Sequence, residues 1–202
     1  MSRSQFPATD RGQTLPIYIW TTGILLFVAF GFFAFAQAAS ARNGAQSAAD
    51  AAALAAAQAS REEMLDGLAT AIGGEEDWLD WLTGDLLEEA GAQTAAEQLA
   101  GENDASVTGF GPAEVNGYPG FQVEIETNYT VGESIIPGTE SMRARAQATA
   151  VLEPRCEFDV DADPRDVIEL DCDGETVEID PQEFRPEDLP DASDLFSVYL
   201  AE

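Results

Sequence analysis

The sequence predicts an α+β protein: a single N-terminal membrane-spanning helix, extended into an Ala-rich helical stalk, followed by a small domain with an antiparallel sheet. Three observations predict it. Residues 15–39, LPIYIWTTGILLFVAFGFFAFAQAA, hold no side chain charged at neutral pH. Residues 40–65 are dominated by alanine, the best helix former. Residues 121–131 and 142–152 alternate side-chain character with period two, the signature of half-buried strands.

Residues 1–14 are polar and read as a short cytoplasmic tail. The 15–39 segment follows. About 20 apolar residues cross the roughly 30 Å hydrocarbon core as a helix. Twelve of these 25 residues are Leu, Ile, Val or Phe, and no charge opposes their insertion. Pro16 sits near the helix start, where its missing N–H does no harm. Tyr18 and Trp20 lie at the entry end, where amphipathic rings favour the headgroup level. Gly23, Phe27 and Gly31 share one face. Two small residues there permit close helix–helix contact in lipid, though ordinary glycine usage in a membrane helix gives the same pattern.

No proline interrupts residues 40–65, so the helix is expected to run on to about Met64. From Leu15 to Arg61 it would measure about 70 Å at 1.5 Å per residue. Ala41, Ala45, Ala49, Ala53 and Ala57 recur every four residues, with Ala48, Ala52 and Ala56 in a second row. Methyl rows of this kind suit a second helix lying very close. That helix could come from another subunit, as an assembly stalk, or from the chain's own domain. Gly73-Gly74 should break the helix. A further helix is expected over about 75–100, weakened by Gly84 and Gly91, with Trp78 and Trp81 in core packing in preference to a membrane interface.

In FQVEIETNYTV, residues 121–131, Phe121, Val123, Ile125, Thr127, Tyr129 and Val131 face one way. In MRARAQATAVL, residues 142–152, Met142 and the even-numbered alanines face one way, with Arg143, Arg145, Gln147 and Thr149 opposite. Paired as an antiparallel hairpin, with its turn around Gly132 and Pro137-Gly138, these strands would set Glu124 and Glu126 near Arg143 and Arg145. Short strands near Val167–Leu170 and Thr176–Ile179 flank Asp173-Gly174, a good hairpin turn, and residues 195–200 read as a last strand. The resulting division is a tail over 1–14, a span over 15–39, the stalk and second helix over 40–104, and a β-rich extracytoplasmic domain over 105–202.

Charge sharpens this picture. The net charge is −29, yet Arg3 and Arg11 leave the first 14 residues basic, and residues 43–202 carry 6 Arg against 37 acidic residues. The basic tail argues for an N-terminus inside and a C-terminal domain outside the cell membrane. So acidic a domain repels polyanions, which excludes nucleic-acid binding. Cys156 and Cys172, two cysteines in the exported part, suggest one disulfide.

The chain has no His and no Lys, which removes Ser-His-Asp and Cys-His arrangements, Schiff bases and P-loops. No catalytic, cofactor or metal residues are assigned. Asp159, Asp161, Asp163 and Asp166 alternate in the manner of calcium ligands. Pro164 stands where an EF-hand needs Gly, and Leu170 where it needs Glu, so the run reads as a solvated acidic loop. A rival reading makes the chain a secreted acidic binding module, with calcium as an option, released by signal-peptide cleavage near Ala36-Gln37-Ala38 or Ala39-Ser40-Ala41. Against it, the apolar stretch exceeds the usual 7–15 residues of a signal peptide, and the alanine helix continues through both sites.

Several of these pieces occur together in one family. Asp10-Arg11-Gly12-Gln13, the opening Leu15-Pro16-Ile17-Tyr18-Ile19, Gln37-Ala38-Ala39, Arg42, Ala45-Gln46 and the run Ala48-Ala49-Asp50 to Ala57 resemble the N-terminal region of TadE/TadG-like proteins of the Tad (Flp) pilus assembly system. The form is the TadG-related one of high-GC Gram-positive bacteria. Val131-Gly132, Ile136-Pro137-Gly138-Thr139, the run Ala148 to Cys156 and Leu195-Phe196-Ser197-Val198 are similar to the same group. The resemblance implies a membrane-anchored structural component of a pilus or secretion machine, either a pilin-like subunit or an anchor. Its partners would be the membrane and other pilus-assembly or pilin subunits, met through the N-terminal helix. The residues expected at that helix–helix interface are Gly23, Gly31, Ala41, Ala45, Ala49, Ala53 and Ala57. Pilin-like members are cut after a Gly with Glu five residues on. Gly12 here is followed at that distance by Ile17, so the resemblance implies the uncleaved kind.

Overall fold

A computed structural model describes residues 14–74, 78–84, 86–131 and 141–201. The tail motif Asp10–Gln13 and the expected turn around Gly132 and Pro137-Gly138 lie outside the described residues. The architecture is α+β: a long, apolar N-terminal helix leads into a small antiparallel-sheet domain.

Helix α1 runs Thr14–Gly73, 60 residues, or about 90 Å. It passes the expected end near Met64 because Met64, Leu68 and Ile72 extend the buried stripe by further helical turns. It stops at the Gly73-Gly74 pair. The helix has two unlike halves. From Leu15 to Phe35 the large side chains stand exposed all round. From Ala41 to Ile72 one face is buried. The stretch read from sequence as a projecting stalk is therefore one layer of the domain itself.

The rest of the domain closes over that face. Helix α2 (Leu79–Leu82) is one turn. Gly84 then takes φ +85, and α3 (Glu89–Glu102) follows, so the second helix is split. Among the described residues seven strands come next: β1 (Ala105–Val115), β2 (Tyr118–Thr130), β3 (Arg143–Pro154), β4 (Cys156–Glu157), β5 (Ile168–Cys172), β6 (Glu175–Ile179) and β7 (Phe196–Ala201), the last preceded by the one-turn α4 (Ala192–Leu195). They form a four-stranded sheet in the order β1-β2-β3-β7 and a three-stranded sheet in the order β4-β5-β6, antiparallel throughout.

Alternation puts Phe121, Val123, Ile125 and Thr127 of β2 inside, as the period-two reading requires. On β3 the even-numbered alanines leave space, and the helix that fills it is α1, while α3 lies nearer β1. Ala92, Ala96 and Ala100 of α3 are fully buried beside the α1 alanines. Small residues on both helices allow the axes to approach toward the low end of the usual 8–10 Å. Gly91 of α3 lies against the Glu63 carboxylate, and Asp104 at its far end accepts from the N–H of Asn128 at 2.7 Å. Tyr129 in turn touches Gly44. The two helices are thus antiparallel.

The β2–β3 register pairs Glu126 with Arg145, and Glu126 also meets Arg143. Glu124 does not join them. It stands opposite Gln147 and packs beside Gly109, because β1 covers its other side. Gly120 of β2 faces the Ala150 backbone so closely that a Cβ would overlap the carbonyl. Gly120→Ala should therefore destabilise the domain by about 1–3 kcal/mol, read as a lower Tm in detergent.

Candidate functional site

The exposed half of α1 is the most unusual surface of the molecule. Its central window is long and apolar enough to cross a membrane, and none of it is covered by the rest of the chain. Monomeric soluble proteins rarely expose contiguous apolar patches beyond a few hundred Å². Leu15, Ile17, Trp20, Phe27, Phe32 and Phe35 are each at least 65% exposed. A cylinder apolar on every side suits lipid or a partner helix. Gly23 and Gly31 are both open, with nothing within 4 Å of a built Cβ. A shallow apolar depression lies over Gly23, between Ile19, Trp20 and Phe27.

The alanines of the expected interface are placed differently. Ala45, Ala49, Ala53 and Ala57 are wholly inaccessible and Ala41 is nearly so. The chain's own sheet and α3 supply the cover. Another subunit's helix could reach this face only by displacing them. The structure thus brings the alanines into one seam with α3 and leaves Gly23 and Gly31 apart from it, on free helix. What methyl spacing cannot say is whose surface it meets.

Cys156 and Cys172 are bonded, as a directly opposed pair on β4 and β5. Beside them Arg155 pairs with Asp173 and donates from Nη1 to the carbonyl of Ser193 at 2.8 Å. The disulfide joins β4 to β5 within the small sheet, and this arginine ties that sheet to the segment leading into β7. In the acidic loop, Asp159 and Asp163 accept from backbone N–H groups two residues on, at 3.0 Å each, as Asx turns. Among the described residues no group of three or more acidic side chains converges as metal ligands would.

On the sheet, Tyr118, Glu153 and Tyr199 stand together. A hydrogen bond from Tyr118 to the Glu153 carboxylate raises the phenol above its ordinary value, and the negative charge adds to the effect. Tyr199 is raised mainly by desolvation and then by Glu153. A raised phenol pKa favours the fold while the phenol is protonated, below its unfolded value near 10. That contribution is lost as pH climbs through the folded value. Glu153→Gln should bring the Tyr118 titration down toward that of a free phenol, followed by phenolate absorbance in alkali.

Sequence reasoning missed the contacts that seat α1. Trp81 lies where a Cβ on Gly67 would be, and Tyr129 occupies the same relation to Gly44. Both glycines were visible inside a helical run, where glycine is disfavoured unless something approaches closely.

Comparison with known proteins adds one finding. Residues 12–59 match a family model described as "Putative Flp pilus-assembly TadE/G-like". The match spans the exposed half of α1 and the first part of the alanine seam. No curated protein and no solved structure matches the chain.

Proposed function

We propose that this chain is a membrane-anchored structural component of a Tad (Flp) pilus or secretion assembly, non-enzymatic, of the TadG-related, uncleaved kind. Its N-terminus lies in the cytoplasm, α1 crosses the cell membrane once, and the acidic domain lies outside. The observation that carries this reading is α1 itself: one unbroken helix is bare and apolar through Phe35, then becomes the core of the domain from Ala41. The family match to residues 12–59 falls on this junction. Continuity also weighs against release by a signal peptidase. Both small-residue sites lie within regular helix, and cleavage after Ala38 or Ala41 would cut at the edge of the buried stripe that Ala41 and Ala45 begin.

In this reading, partners are met inside the membrane. The free glycine face, Gly23 and Gly31, is the surface for another transmembrane helix of the machine, while Ala41–Ala57 hold the domain together. Single cysteines at Gly23→Cys and Gly31→Cys, oxidised in native membranes, should crosslink to a second membrane helix fitted with a facing cysteine. The same reagent at Ala49→Cys should give none. Crosslinks at Ala49 with none at Gly23 or Gly31 would reverse the assignment. Co-purification of the solubilised protein with other components of the assembly tests the wider claim, and a chain that purifies without any of them would contradict it.

A further inference from the structure

We propose that the free edge of β7 accepts an extended, basic segment of another protein as a fifth strand of the main sheet. This contact lies on the domain and does not depend on how α1 sits in lipid.

The direction of each backbone group can be traced across the sheet. In an antiparallel ladder, successive residues turn their N–H and C=O groups to opposite sides. On β3, Met142 C=O accepts from Val131 N–H at 2.9 Å, and Ala144 N–H donates to Thr127 Oγ1 at 3.1 Å. Even-numbered residues of β3 therefore turn to β2, and odd-numbered ones turn to β7. Glu153 C=O agrees, accepting from the Ser197 hydroxyl at 3.4 Å. The register sets Ala201, Tyr199 and Ser197 of β7 opposite Thr149, Val151 and Glu153. Val198 and Leu200 are thus left turning their N–H and C=O groups away from the sheet. β7 is its last strand, and among the described residues nothing bonds these four groups.

Natural sheets guard such edges with charge, proline or irregular pairing. The opposite edge is guarded in that way. By the same alternation Phe110 and Pro112 of β1 face outward, so that row lacks a donor at Pro112, and its register shifts between Val107 and Gly109. β1 also carries Glu114. β7 has none of these devices. FSVYLA is the one strand of the seven described without a charged side chain, in a chain of net charge −29. A bare edge of this kind suits strand addition, in which main-chain bonds hold the guest and side-chain pockets select it.

Such a pocket lies at the end of β7. Leu200, Ala201 and Ala148 line a depression of about 360 Å³, with Gln46 and Asp50 of α1 on its other side. The Asp50 carboxylate accepts from Gln46 Nε2 at 2.8 Å and meets no arginine among the described residues. A long cationic side chain of the guest suits this place, its stem along Leu200 and Ala201 and its head at Asp50. Net charge selects the same guest. Residues 43–202 carry 6 Arg against 37 acidic residues, so a basic segment is attracted and a second copy of this domain is repelled.

The test uses the full chain in detergent and a nine-residue probe peptide of alternating threonine and valine, with one valine replaced by arginine. Amide hydrogen exchange locates the contact. The expected result is saturable binding that slows exchange at Val198 and Leu200 at least tenfold, while Ser197 and Tyr199 stay protected with or without peptide. Val198→Pro removes an outward donor at a place where an edge strand tolerates proline, and should weaken binding at least tenfold. A peptide of the same composition with D-valine should not bind. Asp50→Asn, or glutamate in place of the peptide's arginine, should weaken binding severalfold. Binding without added protection at Val198 and Leu200 overturns the proposal, as does no binding at all. Binding that Asp50→Asn leaves unchanged overturns the cation's place in the pocket. Protection of Val198 and Leu200 that rises with protein concentration, with no peptide present, gives the edge to a second copy and overturns the foreign guest.

Discussion

Ala53→Asp is expected to unfold the domain while leaving the span inserted. Ala53 is wholly inaccessible, in the seam that α1 forms with the sheet and α3. A carboxylate there would be stripped of water with no cation beside it, a change that costs several kcal/mol. Domain stabilities are typically only 5–15 kcal/mol. On a free stalk the same substitution would meet water on all sides and cost no more than about 0.7 kcal/mol in helix propensity. The two pictures of residues 41–57 therefore differ by several kcal/mol at one side chain. Limited proteolysis in detergent reads the difference. The account expects loss of the protease-resistant domain in Ala53→Asp and an unchanged domain in Gln58→Asp, an exposed position of the same helix.

Replacing both Cys156 and Cys172 with serine is expected to lower stability by about 3 kcal/mol, the chain-entropy value for a loop of this size. For a domain of this length that corresponds to a fall of about 6–12 °C in Tm. The effect should concentrate in the small sheet, because β4 contributes only two residues to the ladder with β5. Cleavage near Asp159–Pro164 should accelerate before the main sheet opens. Reduction of the unaltered protein should give the same pattern.

These two expectations mark what could be read from the residues alone. The long apolar helix was legible because 25 residues without a charge have few other interpretations. β2 and β3 were legible because their alternation is strict, and the Glu126–Arg145 pair followed from register. The alanine rows announced a close contact, but a methyl records only distance. The neighbour was set by α3, whose own Ala92, Ala96 and Ala100 complete the seam. β1 was not read as a strand. Gly109, Gly111 and Pro112 dilute its pattern, and an irregularity between Val107 and Gly109 shifts the register. The signal that would have found it was Asn116-Gly117, the strongest short hairpin dipeptide, which takes φ 56 and 86 and joins β1 to β2. The free glycine face of the span was identifiable as a pattern. Its separation from the alanine seam was not, because one helix carries both.

The central claim is that a single uncut helix both enters the membrane and forms the core of the acidic domain. Intact mass of the protein extracted from membranes tests it most directly. The account predicts a mass that includes residues 15–39 joined to the domain. A mature chain beginning near Ala39 or Arg42 would contradict it.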